Sequence, residues 1–421
     1  MARKQITTGF SCGCSHINIQ RRVKMTKGQA LLRKEVFGGT LFNSDSGKRA
    51  YINRDEYESI SQSGSVPEHL QREIQLSTDS VLIREPSYLP GNNFSAPDTI
   101  FFEITRACNI NCTFCFNNSG RRMSNEMSDA QRLRLVQDLI NSGVQEVRLT
   151  GGEPLVVNVV YDIIRLLRRN GLRTSIGTNG ILVKPDIARR LADVGLNLAV
   201  VSVDGMRSVH DSIRGAGSFR KTMKGIIELK HVGIPVRVNT VVMKSNIDEV
   251  VRVTEFFSNL SVPVMIRRLI PAGRADNMSG EMLSQEEYEV LRKRLGHLTS
   301  DSTKHVRGHY IKDDKVAPRI SLPFERQSCS AGHRGMVVLP DGNVQTCGFL
   351  GPLGEMSVGN LVNERFSGVW RKLVDSQHIE SMRFLLPGYN SSTSGPKTNC
   401  LAIALALKSS DVQPLHFMRS K

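Results

Sequence analysis

Between residues 98 and 270, short apolar runs alternate with amphipathic stretches, and this rhythm constrains the fold of the 421-residue chain more than any other feature. Strand candidates are Thr99–Thr105, Glu146–Leu149, Arg173–Gly177, Leu198–Val203, Val236–Val242 and Val262–Arg267. Helical periodicity lies between them at Asp129–Ser142, Asn158–Asn170, Pro185–Val194, Ser218–Val232 and Asp248–Leu260. Such alternation predicts the α/β class, with a parallel sheet and right-handed crossovers. Six units suit an open, partial (β/α)6 barrel over residues 96–270, with chemistry expected at the C-terminal strand ends.

The flanks read differently. Residues 1–95 form a small N-terminal domain with a linker. Its strands are expected at Leu31–Asn43 and Lys48–Asn53, joined at Asp45-Ser46-Gly47, and its helices at Arg54–Gln62 and Pro67–Gln75. Pro86–Pro97, rich in Pro, Gly, Ser and Asn, reads as the linker. Residues 271–421 lose the rhythm. They hold a helix candidate at Gln285–Leu295 and a hairpin, Gly335–Leu339 with Asn343–Thr346, around Pro340-Asp341-Gly342.

No apolar run is long enough to span a membrane, and Leu401–Leu407 is far too short. The N-terminus lacks the apolar centre of a secretory signal, so a cytoplasmic protein is expected. Lys and Arg outnumber Asp and Glu by 56 to 40, a net charge of +16. That favours an anionic partner: an acidic peptide, a phosphorylated metabolite or nucleic acid. The basic residues are scattered rather than massed, which makes nucleic acid the least favoured of the three.

Three of the eight cysteines form the sharpest motif, Cys108-Asn-Ile-Asn-Cys112-Thr-Phe-Cys115, directly after a strand candidate. Clustered cysteines in a long cytosolic chain point to metal or redox chemistry. Thiolates hold iron–sulfur clusters and structural zinc. Zinc would need a fourth ligand, and no nearby Cys or His supplies one. A four-iron cluster on three cysteines instead keeps one iron open for another molecule.

This CxxxCxxC loop after a first barrel strand resembles the radical S-adenosylmethionine superfamily, and Phe114 matches an aromatic often found beside the last cysteine. The resemblance implies a 4Fe-4S cluster on Cys108, Cys112 and Cys115 whose open iron chelates S-adenosylmethionine. It further implies an electron donor such as flavodoxin or ferredoxin, and a 5′-deoxyadenosyl radical that takes hydrogen from substrate. Further motifs fall in the family's order at strand ends. Gly151, Gly152 and Glu153, in Thr150-Gly-Gly-Glu-Pro154, are similar to the motif that meets the methionine amino group, and glycines allow close backbone approach to a ligand. Asn179 follows the third strand. Ser202 and Asp204 end the fourth, where the family contacts ribose and carboxylate. Arg214 resembles a recurrent carboxylate-neutralising Arg, and Asn239 on the fifth strand is a further cofactor contact.

The segment from Cys329 to Cys347, with its Asp-Gly turn, is similar to the start of a SPASM/twitch extension, a module that carries auxiliary iron–sulfur clusters. The closely spaced cysteines of a full module are missing, and only Cys400 follows. One auxiliary cluster on Cys329, Cys347 and Cys400, with a fourth ligand from His333, His416, Cys12, Cys14, substrate or solvent, stands beside a degenerate extension that holds none. Cys12-Gly-Cys14-Ser-His16 offers too few ligands for a closed zinc site.

Arg33–Asn43 with Ala50–Asn53 resembles the winged-helix-like peptide-recognition element typified by the pyrroloquinoline quinone peptide chaperone. Such domains bind a leader peptide by adding it as a strand at a sheet edge. These resemblances imply a maturase acting on a leader-bearing, ribosomally made precursor peptide. The alternatives are a radical enzyme of haem-like cofactor metabolism, an RNA-modifying radical enzyme, and a non-enzymatic module around a structural cluster or zinc.

Overall fold

The computed structural model describes residues 28–90, 93–296, 332, 334–348 and 357–375. Cys12, Cys14, His16, Cys329, His333, Cys400, His416 and the run Leu401–Leu407 lie outside the described residues. No described helix is long and apolar enough to cross a membrane.

Two sheets organise the chain. The first has four strands in the order β3-β2-β1-β4: β1 (Ala30–Glu35), β2 (Gly38–Asn43), β3 (Arg49–Ile52) and β4 (Val81–Arg84). Helices α1 (Arg54–Ser63) and α2 (Glu68–Ile74) cover one face. Asn53 and Glu56 form a reciprocal capping box at the start of α1, and Gly64 ends that helix in the left-handed region. Leu32, Leu41, Ile52, Ile60 and Leu70 close a separate small core there. The single strand expected over 31–43 is a tight hairpin, because the chain reverses at Val36-Phe37. Gly38, at φ +140°, permits this, since a Cβ would stand 2.3 Å from the Asn53 carbonyl carbon. β4 was not legible in the sequence. It pairs in parallel with β1.

The second sheet has nine strands in the order β10-β9-β8-β7-β6-β5-β11-β12-β13. Strands β5 (Thr99–Glu103), β6 (Glu146–Thr150), β7 (Arg173–Thr178), β8 (Leu198–Ser202), β9 (Val236–Val242) and β10 (Val264–Arg268) are parallel, as the rhythm predicted. The crossovers carry α3 (Asp129–Asn141), α4 (Val160–Arg169), α5 (Pro185–Asp193), α6 (Arg207–Arg214), α7 (Ser218–His231) and α8 (Ile247–Asn259), and α9 (Gln285–Arg294) follows β10. Short α6 went unseen because it directly abuts α7. The expected C-terminal hairpin exists as β11 (Gly335–Val338) and β12 (Asn343–Gln345), followed by β13 (Gly359–Asn360) and α10 (Phe366–Asp375). It extends the main sheet rather than standing apart, since β11 runs parallel beside β5.

Alternation sets two faces. Ile100, Phe102, Val147, Leu149, Ile176, Val201 and Val238 pack outward under the helices in the main core. Phe101, Glu103, Arg148, Asn239 and Arg267 occupy the intervening positions and face the concave side. Arg274, just after β10, donates from Nε to the Cys112 carbonyl on the loop after β5 at 2.7 Å. Five strand spacings in a flat sheet would separate those strands by about 24 Å, so the sheet curls into an open barrel.

The small sheet docks on the lower end of this barrel, where the parallel strands begin. Arg33 Nη2 lies 3.0 Å and Arg49 Nη1 3.5 Å from the Asp98 carboxylate, and Arg334 Nε lies 2.9 Å from it. Gln145 Nε2 donates to Thr40 Oγ1 at 2.8 Å, and Arg173 Nη1 donates to the Ser44 carbonyl at 2.9 Å. Residues 93–97, within the expected linker, are buried. Trp370 Nε1 donates to the Phe94 carbonyl and Ser95 N to Glu35, so this stretch is packed into the join.

Candidate active site

The upper end, where the parallel strands finish, gathers the sequence-predicted residues. Cys108, Cys112 and Cys115 lie on the loop after β5, each half-buried. Among the described residues no three His, Cys, Asp or Glu side chains converge on a single-ion position. Three thiols on one loop suit a cluster that gives each thiolate its own iron. Burial, then neighbouring carboxylate and thiol charge, pushes the Cys108 thiol up. Burial also raises Cys112, against the opposing pull of Arg214 and Arg274. Metal binding must displace these protons.

The loop is fixed from several sides. Cys108 N donates to the Gly120 carbonyl, and Ser119 N points to Cys115 Sγ at 3.4 Å. Arg274 was not singled out in the sequence, yet it clamps the loop. Its Nε donates to the Cys112 carbonyl at 2.7 Å and its Nη1 to the Ser119 carbonyl at 2.8 Å, while its own N–H meets the Cys115 carbonyl. Glu126 is a second missed residue. Its side chain is wholly buried and binds Thr105 Oγ1, Arg106 N and Met123 N. Neither belongs to a motif, and only the folded loop reveals them.

The motif residues divide into two groups, and the first builds the frame. A Cβ on Gly151 would stand 2.3 Å from the Thr105 carbonyl oxygen, and one on Gly152 2.1 Å from that of Ala107. The two glycines let this turn pack closely against residues 105–107, where Gly152 N and Glu153 N donate to those same carbonyls. Glu153 is fully buried. Its carboxylate accepts from Thr178 Oγ1 (2.9 Å), Leu155 N (3.2 Å) and Asn179 N (2.8 Å), so its oxygens tie the turn after β6 to the end of β7. Burial lifts its pKa to about 7 against the pull of these donors. Asn179 donates from Nδ2 to Asn109 Oδ1 at 2.8 Å, and Asp204 accepts from Val241 N at 2.9 Å and Arg214 Nε at 2.5 Å. The side chains of Glu153, Asn179 and Asp204, expected from the sequence as cofactor contacts, bind these protein groups as well.

The second group is left open. Asn239 Oδ1 is buried with no hydrogen-bond partner among the described residues. Ser202 lies beside it, paired across β8 and β9. Arg214 is anchored by Asp204, while its Nη1 reaches to 3.7 Å from Cys112 Sγ and its guanidinium lies over Phe114. An orphaned buried acceptor, a hydroxyl and an oriented guanidinium beside three thiols form a cradle for a polar, partly anionic molecule next to a cluster.

The auxiliary set is not assembled among the described residues. Cys347 is half-buried just past β12, while Cys329 and Cys400 lie outside them. Gly348, next to Cys347, turns into the barrel near Val337 and the Glu103 carboxylate.

Residues 102–257 match the Radical SAM superfamily model. The chain is 28% identical over 302 residues to the AdoMet-dependent heme synthase of Nitratidesulfovibrio vulgaris, covering 68% of this chain and 80% of that protein. It is 26% identical to the mycofactocin maturase MftC of Mycolicibacterium smegmatis, covering 69% and 72%. Its fold is similar to that of Streptococcus suis SuiB crystallised with the precursor peptide SuiA, with a TM-score of 0.67 and 16% identity over 91% of this chain and 93% of that one.

Proposed function

The chain belongs to the radical S-adenosylmethionine superfamily, and from that premise we propose that it modifies a ribosomally made precursor peptide, leading to a crosslink or backbone rearrangement. Its cofactors are a 4Fe-4S cluster and S-adenosylmethionine. When bound, they supply a 5′-deoxyadenosyl radical that abstracts hydrogen from substrate. Cys108, Cys112 and Cys115 hold the cluster, fed by a reductant such as flavodoxin or ferredoxin. Ser202, Asn239 Oδ1 and the backbone at Gly151 and Gly152 orient S-adenosylmethionine, and Arg214 answers its carboxylate. Phe114 and the curled sheet exclude water from the reacting end.

The observation that carries the peptide reading is the small N-terminal sheet. Hydrogen abstraction needs only the barrel, yet the chain adds a four-stranded unit whose β3 and β4 edges pair with no described strand. An open edge accepts an extended peptide through main-chain hydrogen bonds. We assign this unit as the winged-helix-like leader-binding domain over residues 1–95, and residues 271–421 as a degenerate SPASM/twitch-like extension. MftC and the peptide-bound SuiB structure support the reading. The heme synthase relatives favour a second one, in which the substrate is a haem precursor.

The test is anaerobic turnover with dithionite, S-adenosylmethionine and the product of any short reading frame found beside the gene, with and without its leader. The leader-bearing peptide is expected to raise 5′-deoxyadenosine formation and change mass, while the core alone reacts at least tenfold more slowly. Cys112→Ala is expected to give neither product. Equal rates with and without leader overturn the peptide-recognition assignment.

A further inference from the structure

We propose that the concave wall beside β5, built from Arg106, Asn117 and Gln345 around the Glu103 carboxylate, is an amide clamp that holds the substrate's main chain beside the cysteine loop. This rests on the peptide reading above and names the part of the peptide that the barrel itself grips.

Glu103 ends β5 between the core-facing Phe102 and Ile104, so its side chain enters the barrel, level with Thr150 before the Gly151-Gly152 turn. Its Oε1 accepts from Asn117 Nδ2 at 3.0 Å, and its Oε2 lies 3.1 Å from Arg106 Nη2. An ionised carboxylate only accepts, so the Asn117 amide is turned with Oδ1 away from it. That Oδ1 and Arg106 Nη1 are buried without a hydrogen-bond partner among the described residues. Gln345 adds a third such atom, Oε1. It pairs with Val337 on β11, and both alternate with the core-facing Met336, Val338 and Val344. A Cβ on Gly348 would stand 3.3 Å from Val337 Cγ2 and 3.8 Å from Glu103 Oε1, which joins the hairpin to the Glu103 group. The Arg106 side chain keeps 14% of its surface exposed, so the wall is open to an incoming molecule.

The chemistry of these three atoms selects the ligand. One guanidinium nitrogen donates and two amide oxygens accept, and leaving them unpaired destabilises the folded protein. An extended main chain carries N–H and C=O in alternation, so it can answer the donor and the acceptors together. A carboxylate would satisfy only Arg106 and would leave both oxygens unpaired beside the Glu103 charge. An ester offers no donor. Glu103 also balances the charge of Arg106 within the wall, which suits a neutral group. Burial raises the Glu103 pKa, while Arg106 and then Asn117 oppose that rise. The place fits as well. Asn117 follows Cys115 by two residues, so a chain gripped here lies alongside the cluster loop.

The experiment is ligand-observed NMR on the anaerobic, cluster-loaded protein with S-adenosylmethionine present. The probes are N-acetylalanine N′-methylamide, N-acetylalanine methyl ester and coproporphyrin III. The amide is expected to bind about tenfold tighter than the ester, the equivalent of one good hydrogen bond. Arg106→Lys keeps a charge beside Glu103 but loses Nη1, and Gln345→Met keeps the volume but loses Oε1. Each is expected to erase most of the preference. Equal affinities, or no binding of the amide, overturn the clamp on the wild-type protein alone. So does a preference that survives both substitutions, or survives the one that folds if the other does not. Coproporphyrin III bound without any amide preference overturns the peptide reading along with the clamp. Release of 5′-deoxyadenosine and a mass change in the leader-bearing peptide, without amide preference, keep that reading and overturn only the clamp.

Discussion

One buried polar group at each end of the barrel shows opposite treatment, the Asp98 carboxylate below and the Asn239 side-chain oxygen above. At the lower end, three guanidinium groups surround the Asp98 carboxylate. Burial alone would raise its pKa, but Arg49, Arg334 and Arg33 hold it well below the usual carboxylate range. At the upper end, Asn239 Oδ1 is buried with no hydrogen-bond partner among the described residues, and Cys108, Cys112 and Cys115 stand as free thiols on one loop. The satisfied Asp98 network serves folding, and the open Asn239 oxygen is suited to a ligand donor. The same sheet separates the two roles by the length of one strand.

The largest effect that probes this contrast is at the lower end. Asp98→Ala leaves Arg33, which is fully buried, without one of its carboxylates. Breaking a buried ionic network from one side costs about 3–5 kcal/mol. Chemical denaturation is expected to report that loss, while S-adenosylmethionine affinity of the folded fraction stays within twofold of wild type. A large change in affinity with little change in stability would break the comparison.

Much of the upper end was legible in the sequence because its motifs are local. Cys108, Cys112 and Cys115 fall within one loop, and Gly151 to Glu153 within one turn. Their order along the chain mirrors the order of parallel strands, so the barrel and its functional end followed together. What local patterns could not convey is which atoms remain available. Glu153, Asn179 and Asp204 look like ligands in sequence, and the fold adds that they also bind partners 26, 70 and 37 residues away. Arg274 escaped notice because its contacts with the cysteine loop span 162 residues. The docking of β11 beside β5 was equally hidden, since a hairpin's own sequence does not say which edge it will join.

His210 sharpens the contrast, because it sits at the upper end yet belongs to the frame. Its Nδ1 accepts the Asp204 N–H at 3.4 Å, and the ring meets Phe219 edge-on at 5.6 Å. Burial, and then Arg214, lowers its pKa from 6.5 to about 4. The folded protein therefore binds fewer protons here than the unfolded chain between these values. The contribution is intact above pH 6.5 and is lost as pH falls through 4, to a total of about 3 kcal/mol. His210→Asn keeps an acceptor near the Nδ1 position and removes the titration. Its unfolding free energy should change less than wild type's between pH 7 and pH 4.5, and an identical pH dependence would remove His210 from the frame.

The smallest expected change in stability is the most diagnostic of the open end. An unsatisfied buried oxygen costs the folded state about 1–3 kcal/mol, a cost that a ligand donor removes. Asn239→Val deletes that oxygen, suits a strand position, and introduces no unsatisfied polar atom. Stability without S-adenosylmethionine should then hold or rise by up to about 1 kcal/mol, since the lost amide made no hydrogen bond through Oδ1. S-adenosylmethionine affinity should fall about tenfold, the equivalent of one good hydrogen bond. The two measurements must move in opposite directions. A destabilised variant with unchanged affinity would mean that Asn239 serves the frame, as Asp204 does, and that the open cradle is narrower by one residue.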